Sequence, residues 1–181
     1  EEEEGKSWLE ELGNPKEELN ALKKAVEDKK FDQAVSMYRN FQGMPFKSAL
    51  FYAIEVNEEA AIALVDNSQR LNLSLTETNE DKQTPLILAV RLKKPKIVNA
   101  ILCQAKEQDI AINAKDEYGQ TAFHWACGRG LTAIVAMMLE MAQEVKIDLN
   151  AKDNGEKTGF IWACEYKHSE VINQILAQAE S

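Results

Sequence analysis

Glycine and proline are scarce in this chain, with 8 Gly and 4 Pro among 181 residues. That scarcity excludes a collagen-like or loop-dominated polymer. Cysteine is scarcer still. Cys103, Cys127 and Cys164 form an odd, widely spaced set, which reads as reduced thiols rather than a disulfide framework. Long hydrophobic runs are missing. Uncharged stretches reach about ten residues, as in LTAIVAMML at 131–139, against the ~20 that a membrane span needs. Clustered Lys and Arg are missing too, which argues against a surface that tracks nucleic-acid phosphates. No P-loop, no G-x-G-x-x-G after a strand and no H-E-x-x-H motif occurs. The chain opens EEEEGK, which has neither the apolar run of a signal peptide nor the character of a transit peptide. These features together predict a cytoplasmic setting. The first residue is not Met, as expected of a piece of a longer protein.

Apolar residues make up 45% and charged residues 28%, so a sizeable core can form without a metal or disulfide staple. The net charge of −9 is unevenly placed. Residues 1–28 carry ten acids and four lysines, hence −6, and the remaining 153 residues carry the other −3.

What organises the chain is a repeat. TPLILAV at 84–90, TAFHWAC at 121–127 and TGFIWAC at 158–164 begin 37 residues apart, twice. NAKD recurs at the same interval, at 113–116 and 150–153. A weaker copy, SALFYAI, begins at Ser48. Ser48, Thr84, Thr121 and Thr158 stand where a helix N-cap belongs, because a hydroxyl there satisfies a free first-turn amide. Pro85 falls at the first helical position, where a missing N–H costs nothing. A second helical stripe follows in each copy: Ile97, Val98, Ile101, Leu102; Ile134, Val135, Met138, Leu139; Val171, Ile172, Ile175, Leu176. Turn residues at Asp116–Gly119 and Asp153–Gly155 separate the copies. Each unit is therefore expected to be helix, turn, helix and an extended hairpin-like loop.

The stretch from Asp116 through Gly119, Thr121, His124, Ala126, Gly130, Ile134 and Val135 resembles the ankyrin repeat, whose pattern is D-x-x-G-x-T-P-L-H-x-A-x-x-x-G-x-x-x-I-V. The resemblance is strongest at 116–152 and good at 153–181. It is weaker at 79–115, where Asn79 and Lys82 replace the Asp and Gly, and weakest at 43–78. It implies an all-α solenoid of about four helix-turn-helix repeats. Residues 1–42 fall outside the pattern. Asn14-Pro15 with Glu17 and Glu18 predicts a helix start, and Leu19, Leu22, Ala25, Val26 and then Phe31, Ala34, Val35, Tyr38 predict an N-terminal helical cap or flank. SWLEEL at 7–12 is expected to be a short flanking helix or a tail. The 37-residue period exceeds the family's usual spacing by four, close to one helical turn, so longer outer helices are expected after Leu102 and Leu139.

The resemblance implies a non-catalytic module that binds another protein through its concave face and hairpin tips. Carried over in register, the tips are Glu80, Asp81, Gln83, Glu117, Tyr118, Gln120, Asn154 and Lys157. The exposed inner-helix positions are Glu55, Val56, Arg91, Leu92, Arg129, Glu165 and Tyr166. Tyr118, Arg129 and Tyr166 are favoured, since Tyr and Arg often anchor interfaces. Arg91, Glu117, Gln120, Glu165 and Lys157 complete the expected partner-binding set. The alternative is a targeting domain of a larger protein, such as a bacterial effector secreted into a host cytosol, with its active domain elsewhere. No cofactor is called for. His124, Cys127, Cys164 and His168 are formally a zinc-like set, but the family assigns His124 to holding the helix start. Neither metal binding nor a Cys–His nucleophile is therefore expected. Trp125 and Trp162 are expected to pack along the inner-helix layer. The last copy reads as a modest natural cap, with Asn173 and Gln174 replacing Ala136 and Met137, so a monomer or weak homodimer is expected.

Overall fold

A computed structural model describes residues 14–41 and 48–180. The SWLEEL segment lies outside the described residues. The chain divides into two compact units between Leu73 and Ser74. All regular structure among the described residues is helical.

The first unit holds α1 (Pro15–Glu27), α2 (Phe31–Arg39), α3 (Ala49–Val56) and α4 (Glu58–Asp66). The Asn14 carboxamide oxygen accepts the Lys16 N–H, and Pro15 opens α1. Leu19, Leu22, Ala25 and Val26 are buried, as the stripe predicts. In α2 only Ala34 is fully buried. Ser48 occupies an N-cap position, but its hydroxyl bonds Tyr38 Oη at 2.9 Å and caps no amide. A nearby phenol has taken over the hydroxyl that the N-cap expectation assigned to the helix.

The second unit stacks three helix pairs: α5 (Pro85–Arg91) with α6 (Pro95–Gln104), α7 (Ala122–Gly128) with α8 (Thr132–Met141), and α9 (Gly159–Glu165) with α10 (Ser169–Ala179). Inner helix packs on inner helix and outer on outer along the stack. Thr84, Thr121 and Thr158 each accept the N–H three residues on, at 3.3 Å. Three of the expected caps therefore form. The turn from inner to outer helix is the same in all three copies. Lys94, Leu131 and His168 donate their N–H to Ala89, Ala126 and Ala163, closing a six-residue loop around a left-handed residue. That residue is Lys93, Gly130 or Lys167, with φ of 57°, 67° and 58°.

The extra residues are not longer α-helices. α6 and α8 have 10 residues each, and hydrogen-bonded turns follow. After α8, Val145 N–H reaches Met141 O, and Ile147 N–H reaches Ala142 O across left-handed Lys146. After α6, Gln108 N–H likewise reaches Gln104 O; each extension closes in one such turn, and after α8 left-handed Lys146 stops it.

Stripe residues of α6 and α8 are buried, whereas in α10 only Val171 is; Leu176 is 48% exposed and Ile161 38%. Their equivalents Leu139 and His124 are 5% and 2% exposed beneath the next repeat. Gln174 does not add polarity to the outer face. Its amide turns inward and donates to Thr132 O at 3.1 Å.

Candidate functional site

The second unit builds its concave side from the turn before each inner helix and from the inner helix itself. Asp116 is the hub of its turn. One carboxylate oxygen accepts the N–H groups of Tyr118 and Gln120 at 2.9 and 3.0 Å. The other accepts the indole N–H of Trp125 at 2.7 Å. Asp153 repeats the arrangement one copy later, taking the N–H groups of Gly155 and Lys157 and the indole of Trp162, again at 2.7 Å. Burial opposes the charge on Asp153, but these donors outweigh it and hold its carboxyl below the usual range. Each tryptophan is thus pinned edge-on to its own turn, with its ring face left toward the concave side.

The left-handed residue of this turn is Lys82, Gly119 and Glu156 in the three copies, with φ of 58°, 73° and 61°. In the last copy the register therefore puts the strained position on Glu156, one residue past Gly155. Gly119 is also where the neighbouring turn comes closest, since a Cβ there would overlap the Asn154 amide. Asn154 N–H donates to Tyr118 O, and its side-chain amide donates to Glu117 O, so adjacent hairpin tips are tied together.

His124 completes a capping box. Its Nδ1 accepts the Thr121 N–H at 3.1 Å, so the ring proton is on Nε2, which donates to Lys157 O at 2.9 Å. The imidazole therefore closes its own helix and fastens the next repeat. His168, at the start of α10, does related work: its Nε2 donates to Gly128 O at 2.9 Å, and its ring lies over Gly130. Burial pushes the Cys127 thiol up to about 12, while Cys103 and Cys164 are exposed. Among the described residues no group of His, Cys, Asp and Glu gathers in a metal-like cluster.

A groove of about 370 Å³ opens between the second and third inner helices of this unit. Of the sequence-predicted residues, Tyr118, Gln120, Arg129 and Tyr166 line it, together with His124, Trp125, Gly128 and Trp162. Tyr118 and Tyr166 are 57% and 59% exposed. Arg91 flanks the groove, with its guanidinium 4.9 Å from the Trp125 ring centre and its carbonyl accepting Arg129 Nη1 at 2.8 Å. At the other end Lys157 lies 4.6 Å from the Trp162 ring centre and pairs with Glu165 at 2.8 Å. Glu117 sits at the tip, where its charge and a hydrogen bond raise the Tyr118 phenol above its usual value. Gln83 is placed differently. It is buried, and its Oε1 accepts the Asn79 amide at 3.1 Å, so it offers nothing to a partner. The tryptophans, read from sequence as packing, also form the groove walls. The signal for this was the same nine-residue Asp-to-Trp spacing in two copies, which ties each indole edge to a turn and keeps one face out of the core.

Residues 106–181 match the family described as ankyrin repeats. Over those residues the chain resembles ankyrin repeats, and its fold is that of an ankyrin solenoid. The ankyrin repeat domain of Bcl-3, described as a unique member of the IkappaB protein family, is a similar solved structure, with a TM-score of 0.62 and 28% identity. The match covers 71% of this chain and 55% of that one, so the chain spans little more than half the length of that domain. No curated protein matches. In all, 363 solved chains match. Ankyrin repeats generally mediate protein–protein interactions. No helix among the described residues is long and apolar enough to cross a membrane.

Proposed function

We propose that this ankyrin array is a non-catalytic module that binds a partner protein on its concave side. Tyr118, Arg129 and Tyr166 act as anchors there, and Arg91, Glu117, Gln120, Lys157 and Glu165 surround them. The observation that carries the reading is the groove itself. Two exposed tyrosines and two half-buried tryptophans face one opening, and each tryptophan is held by a short bond to a turn aspartate. Rigid aromatic surface held in place before binding costs little ordering entropy when a partner arrives. Aromatic and arginine side chains are also the ones that most often dominate interface energy.

The test is capture of partner proteins from the cells that make this protein, using the wild type and single alanine variants. Tyr118→Ala, Arg129→Ala and Tyr166→Ala are each expected to weaken capture by about tenfold or more, the scale of an interface anchor. Glu140→Ala, on the exposed side of α8, is expected to leave it unchanged. Equal loss in all four variants, or loss only at Glu140, would refute the concave-side assignment.

A further inference from the structure

The groove is not chemically neutral, and its unspent groups define what it selects. Asp116, Asp153 and Glu165 are engaged. Both oxygens of Asp116 and of Asp153 accept turn amides and an indole N–H. Glu165 is paired with Lys157. Glu117 stands beside the Tyr118 phenol, whose ionisation its charge opposes. The arginines are in the opposite condition. Among the described residues neither Arg91 nor Arg129 has a carboxylate partner. Arg129 gives one Nη1 hydrogen to the Arg91 carbonyl, and the rest of its five-donor fork has no partner among the described residues. Arg91 is spread over Trp125, and its Nε is buried with no acceptor among the described residues. Beside these donors, Trp162 and Tyr166 stack on each other at 5.6 Å with a 9° interplanar angle, a fixed aromatic pair on one side of the groove.

Resting on the proposed role of this groove, we infer that it selects a short partner segment in which a large apolar or aromatic side chain stands next to an aspartate or glutamate. The apolar side chain enters the groove between Tyr118, Trp125, Trp162 and Tyr166, and the carboxylate takes the open fork of Arg129 and the edge of Arg91. Paired N–H groups of a guanidinium match the two oxygens of a carboxylate. A volume of about 370 Å³ is near the low end for ligand sites, so it suits one or two side chains and not a whole helix. A cationic ligand is the natural rival, because ring faces attract cations. Here Arg91 and Lys157 already occupy the Trp125 and Trp162 faces, and Arg129 lines the opening, so a further positive charge is repelled.

The experiment is selection of a random peptide display library on the full chain. It is followed by titration of the best synthetic peptide, its Asp→Asn or Glu→Gln twin, and its Asp→Lys or Glu→Lys twin. Binding is read by intrinsic tryptophan fluorescence and by polarisation of a peptide label. Enriched peptides are expected to place Asp or Glu within two residues of Trp, Phe, Leu or Met. Neutralising that acid should weaken binding on the order of tenfold. Arg129→Gln should weaken the acidic peptide by a similar factor and leave its neutral twin unchanged. Arg129→Lys, which keeps the charge but loses the fork, should fall between. An unchanged melting temperature of both variants confirms that the fold is intact. Groove-bound peptides that prefer Lys, or that ignore the charge at this position, would overturn the acidic preference while leaving protein binding at the groove standing. A selection that enriches nothing would contradict both.

Discussion

The substitution Asp116→Asn probes the bond that shapes the groove, and the chain supplies its own control. Asn79 occupies the matching position one copy earlier. Its Oδ1 accepts the N–H groups of Asp81 and Gln83 at 3.1 and 2.9 Å, so an asparagine closes this turn perfectly well. Nine residues on from Asn79 stands Leu88, whereas nine on from Asp116 stands Trp125. At Asn79 the side-chain NH₂ is free to donate to Gln83. At position 116 it would meet the indole N–H, donor against donor, at a site where the two heavy atoms are now 2.7 Å apart. The variant loses one charge-assisted bond, worth about 1.5–3 kcal/mol, and gains an unpaired donor. A loss of about 2–3 kcal/mol is expected. Trp125→Leu alone should cost about 2 kcal/mol or more through lost apolar contact and an idle carboxylate oxygen. The double variant recreates the Asn79–Leu88 pairing, so its loss should be smaller than the sum by about 1–2 kcal/mol. The contact of Arg91 with the ring is removed in both backgrounds and cancels in this comparison. Urea unfolding followed by circular dichroism measures all four corners. Additive losses, or an Asp116→Asn variant as stable as the parent, would refute the account of this turn.

Three further outcomes follow from the same geometry. Thr121→Ala removes a hydroxyl that accepts the His124 N–H and also bonds its ring at 2.9 Å, so it should cost about 1–2 kcal/mol in the same unfolding assay. Lys93→Gly relieves a left-handed backbone with φ 57°, and should raise stability by up to ~1 kcal/mol in the same assay. The Asp153 carboxyl is held below its ordinary value in the folded chain, so its contribution is fully present above the unfolded value near pH ~4 and is lost as pH falls through the lower folded value. Unfolding midpoints from pH 7 down to acid should therefore fall for the parent in that window, and Asp153→Asn should start lower and fall less.

The repeats were legible because their signals are local. A cap hydroxyl at Thr84, Thr121 and Thr158 and an apolar stripe that begins thirteen residues later say helix and helix without any knowledge of the neighbours. What was not legible depends on what stands opposite. Ser48 looks like the other caps, yet its hydroxyl is used by Tyr38, ten residues earlier in sequence. His168 looks like an exposed polar residue at a helix start, but the absence of a side chain at Gly130 lets it reach the Gly128 carbonyl. Gln174 reads as outer polarity and instead feeds an inward backbone acceptor on α8. The four extra residues per copy are long enough for a helical turn, and after α8 only the left-handed backbone at Lys146 shows where that turn stops. In the candidate site, register alone put Tyr118, Gln120, Arg129 and Tyr166 on one side. The tryptophan walls needed the bond from each indole to its aspartate, because burial by itself would have sent those rings into the core.

The claim that most needs testing is that the Tyr118–Tyr166 groove is where a partner sits. Hydrogen–deuterium exchange of the full chain, alone and saturated with a captured partner protein, tests it without any substitution. Added protection is expected in two blocks, at 116–130 and 153–167, while amides of the outer helices at 132–141 and 169–179 exchange as they do in the free chain. Protection centred on the outer helices, with those two blocks unchanged, would contradict the account.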